Sequence, residues 1–157
     1  MVLRIWPALA SWGAGLILFA VAAGAPPWAA VALCLWAVAT FGWGVIALRA
    51  VRLPAPRTTL ACALGAVAVG LVLVLAGTLG PVPFAALTVL HLLVAGCAAA
   101  SLRRGPSAAR HERPGRTVFA LVAGALAVAA LTTPALAFTE PGSSAVPHGE
   151  DPGGHRH

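Results

Sequence analysis

Charge is scarce in this chain. Charged residues make up 9% of its 157 positions, and Lys is absent, so every basic side chain apart from His is Arg. Soluble domains carry about 25% charged residues. So little charge cannot cover a water-facing surface, which excludes an ordinary soluble globule and makes lipid the solvent for most of the chain. Long polar stretches are lacking too. The longest, Phe138 to His157, is too short and too rich in Gly and Pro to fold by itself.

The usual marks of catalysis are also missing. There is no phosphate-binding Gly loop, no nucleophile motif and no acid/base pair of carboxylates, so an enzyme is not expected. No C-x-x-C occurs, and Cys34, Cys62 and Cys97 are odd in number, which indicates no disulfide framework. Free Cys in apolar surroundings behaves as a small hydrophobe. Cys62 and Cys97 fall at similar depth on consecutive spans, where two facing thiols would suit a soft ion such as Cu(I).

What is present is apolar. Hydrophobic residues form 60% of the chain and its mean hydropathy is +0.92. Five spans, at 5–24, 28–48, 58–80, 82–102 and 117–137, each come near the roughly 20 residues that cross a bilayer core. None contains Asp, Glu, Lys or Arg. Backbone polar groups in lipid must bond within their own segment, so these spans read as helices. The expected architecture is an all-α, polytopic membrane helix bundle over 1–137, followed by a flexible His-containing tail over 138–157.

The connections alternate in character. Ala25-Pro26-Pro27 and Gly80-Pro81-Val82-Pro83 are short and uncharged. Arg49, Arg52 and Arg57 flank the second connection, and Arg103, Arg104, Arg110, Arg113 and Arg116 the fourth. Arg4 precedes the first span. The positive-inside rule places the Arg-bearing segments in the cytoplasm. Every Arg except Arg156 then lies inside, with the N-terminus cytoplasmic and the tail extracytoplasmic. An even number of spans would break this agreement. Trp6, Trp28 and Trp43 fall near the expected interfaces. A pI near 11.4 therefore reflects topology rather than a nucleic-acid partner. The basic loop around His111 and Glu112 would lie against anionic headgroups of a cell membrane. Abundant Ala and Gly without Lys fit a GC-rich bacterial genome.

Two segments resemble processing sites. Ala23-Gly24-Ala25 follows Arg4 and an apolar run, but Pro26 would follow the cut. Ala135-Leu136-Ala137 closes the last span, and a cut there would release the tail. A faint repeat relates Ala61, Gly65, Ala66, Ala68 and Val69 to Ala120, Gly124, Ala125, Ala127 and Val128. Ala-rich coincidence explains it as well as duplication does. Small residues recur at four-residue spacing in Ser11/Gly15, Ala61/Gly65, Ala66/Gly70 and Ala120/Gly124, a pattern that lets membrane helices approach closely. Trp36, Thr40 and Trp43 share a face of the second span, which reads as packing or lipid contact.

Apart from the thiols, His91 is the one ionisable side chain inside a span. It lies about nine residues into the fourth, near the bilayer midplane at about 1.5 Å per residue. Such a residue is a candidate haem ligand, metal ligand or proton relay. The competing structural role is a neutral His bonded to a nearby carbonyl or to Thr88. No second His and no carboxylate lies within a span, which weighs against a bis-His haem and a proton path. In the tail, His148, Glu150, Asp151, His155 and His157 combine imidazole and carboxylate, a mixture that suits a Cu or Zn ion.

The sequence thus points to a small non-enzymatic membrane protein with possible-ligand residues in its tail and at His91. Transition-metal handling at the outer face leads. An accessory subunit of a larger membrane complex and a transporter or channel for a small neutral molecule stand beside it. Expected partners are the bilayer and other membrane proteins or further copies of the chain.

Two outcomes are expected. A reporter fused after His157 should behave as extracytoplasmic and one inserted near Ala108 as cytoplasmic; the reverse pattern would overturn the orientation. Replacing His148, His155 and His157 with Ala should abolish Cu(II) or Zn(II) binding at the outer face, read by native mass spectrometry.

Overall fold

A computed structural model describes residues 2–50, 53–104 and 114–139. It contains five helices: α1 (Val2–Ala23), α2 (Pro27–Arg49), α3 (Pro56–Leu75), α4 (Pro81–Arg104) and α5 (Pro114–Ala137). All five are long and apolar enough to cross a membrane, and no strand occurs among the described residues. The chain is a multi-pass helical membrane protein.

Proline sets the starts. Helices α2 to α5 each open on a Pro. At the first helical position the missing N–H removes only a donor that would lack a helical partner anyway, and φ is already near its helical value. The third span was expected to reach residue 80, but α3 stops at Leu75. Gly77 has φ +73, and the amides of Gly77 and Thr78 donate to the carbonyls of Val74 and Leu73, each at 3.0 Å. This Schellman closure satisfies carbonyls that would otherwise be orphaned, and the left-handed residue it needs is most easily a Gly. The remaining 20 residues still span about 30 Å at about 1.5 Å each. The other helices extend the expected spans by only a few residues, within the usual uncertainty of helix ends.

Helix α1 is the hub. Of its membrane-spanning window, 67% is buried, against 22% for α2, α3 and α5. It packs against α2, α4 and α5, while α3 packs on α4 alone. Small residues explain why several backbones can close on one helix. A Cβ on Gly15 would meet the Phe41 ring of α2 at 2.5 Å, and one on Gly13 would meet Val128 of α5 at 2.6 Å. From the other side, Gly44 of α2 gives way to Trp12, whose Nε1 would lie 2.6 Å from an added Cβ. On α5, Gly124 seats Leu9 and Trp6. The indole of Trp6 donates to the Ala120 carbonyl at 3.0 Å, so this Trp joins two helices. The pairs Trp6–Ala120, Leu9–Gly124 and Gly13–Val128 advance together along both helices, which makes α1 and α5 parallel.

Three of the four small-residue pairs mark real contacts. Gly15 and Gly124 lie at the α1–α2 and α1–α5 seams, and Gly70 faces Phe84 across α3–α4. Ala61/Gly65 does not: both residues are exposed, and a Cβ on Gly65 would meet nothing within 4 Å. Gly65 and Gly124, matched in the faint repeat, therefore have different surroundings.

This contrast gives a paired test. Gly44→Ala places a methyl against the Trp12 ring and 3.2 Å from the Ala8 carbonyl oxygen, and overpacking of this kind costs about 1–3 kcal/mol. Gly65→Ala enters open space and should be neutral or stabilising by up to about 1 kcal/mol. Thermal unfolding in detergent should lower the Gly44→Ala midpoint and leave Gly65→Ala at or above the wild type.

Candidate functional site

Helices α2 and α3 are consecutive in sequence yet do not pack against each other. With α2 held on α1 and α3 on α4, the space between them is a cavity of about 430 Å³. Ser11 and Ala14 of α1 and Leu90, His91 and Val94 of α4 form its floor. Its sides are Trp36, Thr40 and Trp43 of α2 and Thr59, Cys62 and Ala63 of α3, and Pro54 and Ala55 close the end nearest Arg49 and Arg57. Ala55 is the one described non-Gly residue with positive φ, at 39°. It turns the chain from the α2–α3 link into α3.

The lining is apolar and, among its described residues, contains no Asp, Glu, Lys or Arg. Its hydroxyls are largely engaged with backbone. Ser11 Oγ donates to the Pro7 carbonyl at 2.8 Å, Thr40 Oγ1 to Ala37 at 2.7 Å, and Thr59 Oγ1 to Pro54 at 3.0 Å. These bonds hide hydroxyl protons that lipid or an apolar cavity would leave unsatisfied.

His91 is the chemically distinctive group. It is 8% exposed, and its Nδ1 donates to the Leu87 carbonyl one turn back at 2.7 Å. A carbonyl cannot donate, so this bond places the proton of the neutral ring on Nδ1 and leaves a lone pair on Nε2. Nε2 makes no hydrogen bond among the described residues. The imidazole lies 6.2 Å from the Trp36 ring, centre to centre, tilted by 54°.

A second, tight cavity of about 10 Å³ shares Trp36, Ala66 and His91 with the first. It continues past Gly70, Leu87 and Thr88 toward Leu79 and Phe84 at the opposite helix ends. Its volume suits about one water. Thr88 Oγ1 is buried there with no partner among the described residues. The two cavities thus meet at Trp36, Ala66 and His91: wide on the Arg49/Arg57 side, nearly closed on the other.

His91 takes the structural bond expected of a neutral His, to a carbonyl and not to Thr88, and in addition offers Nε2 to a cavity. The stripe Trp36, Thr40 and Trp43, which reads in sequence as packing or lipid contact, forms one side of that cavity. No pattern within α2 reveals this, because the cavity exists only through the gap to α3. Cys62 lines the cavity; Cys97 does not, and no described contact joins the two thiols. Among the described residues no three His, Cys, Asp or Glu side chains gather as a metal site. His148, Glu150, Asp151, His155 and His157 lie outside the described residues, as do Arg52, His111 and Glu112. No family model, curated protein or solved structure matches the chain.

Proposed function

We propose that this is a non-enzymatic, multi-pass protein of a cell membrane that holds a small uncharged molecule between α2 and α3 and carries it into or across the bilayer. The observation behind this reading is the 430 Å³ uncharged cavity floored by His91. Ligand sites of small molecules are typically about 300–1,000 Å³, mostly apolar, with few polar groups. The absence of charge among the described lining residues disfavours ions, whose desolvation they would not offset.

The distribution of Arg gives the orientation in this proposal: N-terminus and the Arg49/Arg57 end cytoplasmic, C-terminus extracytoplasmic. The wide cavity then lies in the cytoplasmic half of the membrane and narrows at Trp36, Ala66 and His91. Capture of Cu or Zn by the tail is a separate activity of that segment, to which the described residues add no cluster of ligands.

Naphthalene, a neutral apolar probe, should bind saturably to the protein in lipid nanodiscs, with protein-free nanodiscs subtracted. Ala66→Phe extends a ring into the junction of the two cavities and should weaken that binding at least about ten-fold in protein that still purifies as a folded bundle. Absence of saturable binding, or binding unchanged in Ala66→Phe, would overturn the reading.

A further inference from the structure

The chemistry around His91 narrows what the cavity can prefer. Nε2 carries a lone pair, the ring is 8% exposed, and no described residue donates to it. An acceptor that faces an apolar cavity without a donor is left unpaired, so a ligand that brings a proton to Nε2 gains a hydrogen bond that a purely apolar ligand cannot. The hydroxyls of Ser11, Thr40 and Thr59 already donate to carbonyls, so toward a ligand they too present lone pairs. An ether or ester oxygen finds no free proton on these groups. Thr88 Oγ1, buried and unpartnered, lines the narrow cavity one turn along α4 from His91.

The rest of the lining sets the body of the ligand. Trp36, Trp43 and the imidazole give flat faces on which aromatic rings stack well. The lack of charge among the described lining residues favours a neutral molecule. Given that the cavity is a ligand site as proposed above, we infer that it selects a neutral aromatic alcohol, a phenol or hydroquinone in class, whose hydroxyl donates to Nε2 of His91. Ring and hydroxyl arrive together: the hydroxyl seats on α4 at mid-membrane, and the ring lies between α2 and α3. The same molecule without its hydroxyl proton, as methyl ether or quinone, brings nothing to Nε2.

The test compares 2-naphthol with 2-methoxynaphthalene, which share a ring system and differ in the donor. Both are titrated by equilibrium dialysis against the full chain in nanodiscs, corrected with empty nanodiscs. Wild type should take 2-naphthol about two- to ten-fold more tightly, the range of one net hydrogen bond. His91→Phe, which keeps a ring at the site, should bind both compounds equally. In wild type, the unprotonated ring ¹⁵N resonance of His91 should shift with 2-naphthol and not with the ether, a readout that needs no folded variant. Equal affinities in wild type, a preference that survives His91→Phe, or an unmoved resonance would overturn the inference and leave the cavity a ligand site. Failure of naphthalene and both derivatives to bind would overturn the cavity reading with it.

Discussion

Lipid gives helices no hydrophobic reward for leaving it, so a bundle in a membrane depends on how closely its backbones can approach. In this chain that approach is centred on α1. Gly13, Gly15, Ala8, Ala10 and Ala14 leave room on several sides of one helix, and neighbours fill it: Phe41 over Gly15, Val128 over Gly13, Leu90 nearby. Larger groups on α1 act as anchors in the opposite sense, with Trp12 seated on Gly44 and Trp6 bonded to the Ala120 carbonyl. The tightest contacts pair a bulky side chain with a glycine. Dispersion between such complementary surfaces is the principal gain available where water is absent.

The cavity follows from that same arrangement. A hub with three neighbours and a second helix, α4, that holds α3 leave α2 and α3 without a shared seam. Their link is short, yet each is already committed to a different partner. The polar atoms that the gap uncovers are mostly satisfied locally, by hydroxyls bonding one turn back or into the Pro54 carbonyl. His91 Nε2 and Thr88 Oγ1 are among the exceptions, and His91 lies where the wide and narrow cavities meet. In a bundle otherwise closed by small residues, an uncommitted ring acceptor lines the open space between α2 and α3.

Much of the fold was legible in the residues, and the reasons are specific. Five uncharged runs near bilayer length, separated by Pro or Arg, admit few other readings. The end of α3 at Leu75 was less legible because Ala76 to Gly80 carries no charge, so the uncharged run continues to Pro81 while Gly77 turns the chain. Packing was half legible: Gly15, Gly70 and Gly124 were marked by their spacing, while Ala61/Gly65 shows that the same spacing arises by composition in an Ala-rich helix. Gly13 and Gly44 carry seams without being marked by that spacing. The site was less legible still. His91 stood out as an intramembrane imidazole, and its bond to Leu87 was within the expected range. That Trp36, Thr40 and Trp43 would face it across a gap depends on α3 choosing α4 over α2, which no local pattern encodes.

The placement of the hub also bears on how the protein is made. A chain inserted from its N-terminus delivers α1 before any helix that will cover it. Its seam with α2 forms at once, but Trp6 and its acceptor Ala120 are 114 residues apart. Until α5 arrives, the glycine-lined side of α1 and the N–H of Trp6 must be sheltered by lipid or by the insertion machinery. Assembly is thus governed by its most distant contacts, and loop-closure entropy is met before they form. A truncation that spares every residue of the cavity but removes α5 would leave α1 short of one neighbour throughout its life in the membrane.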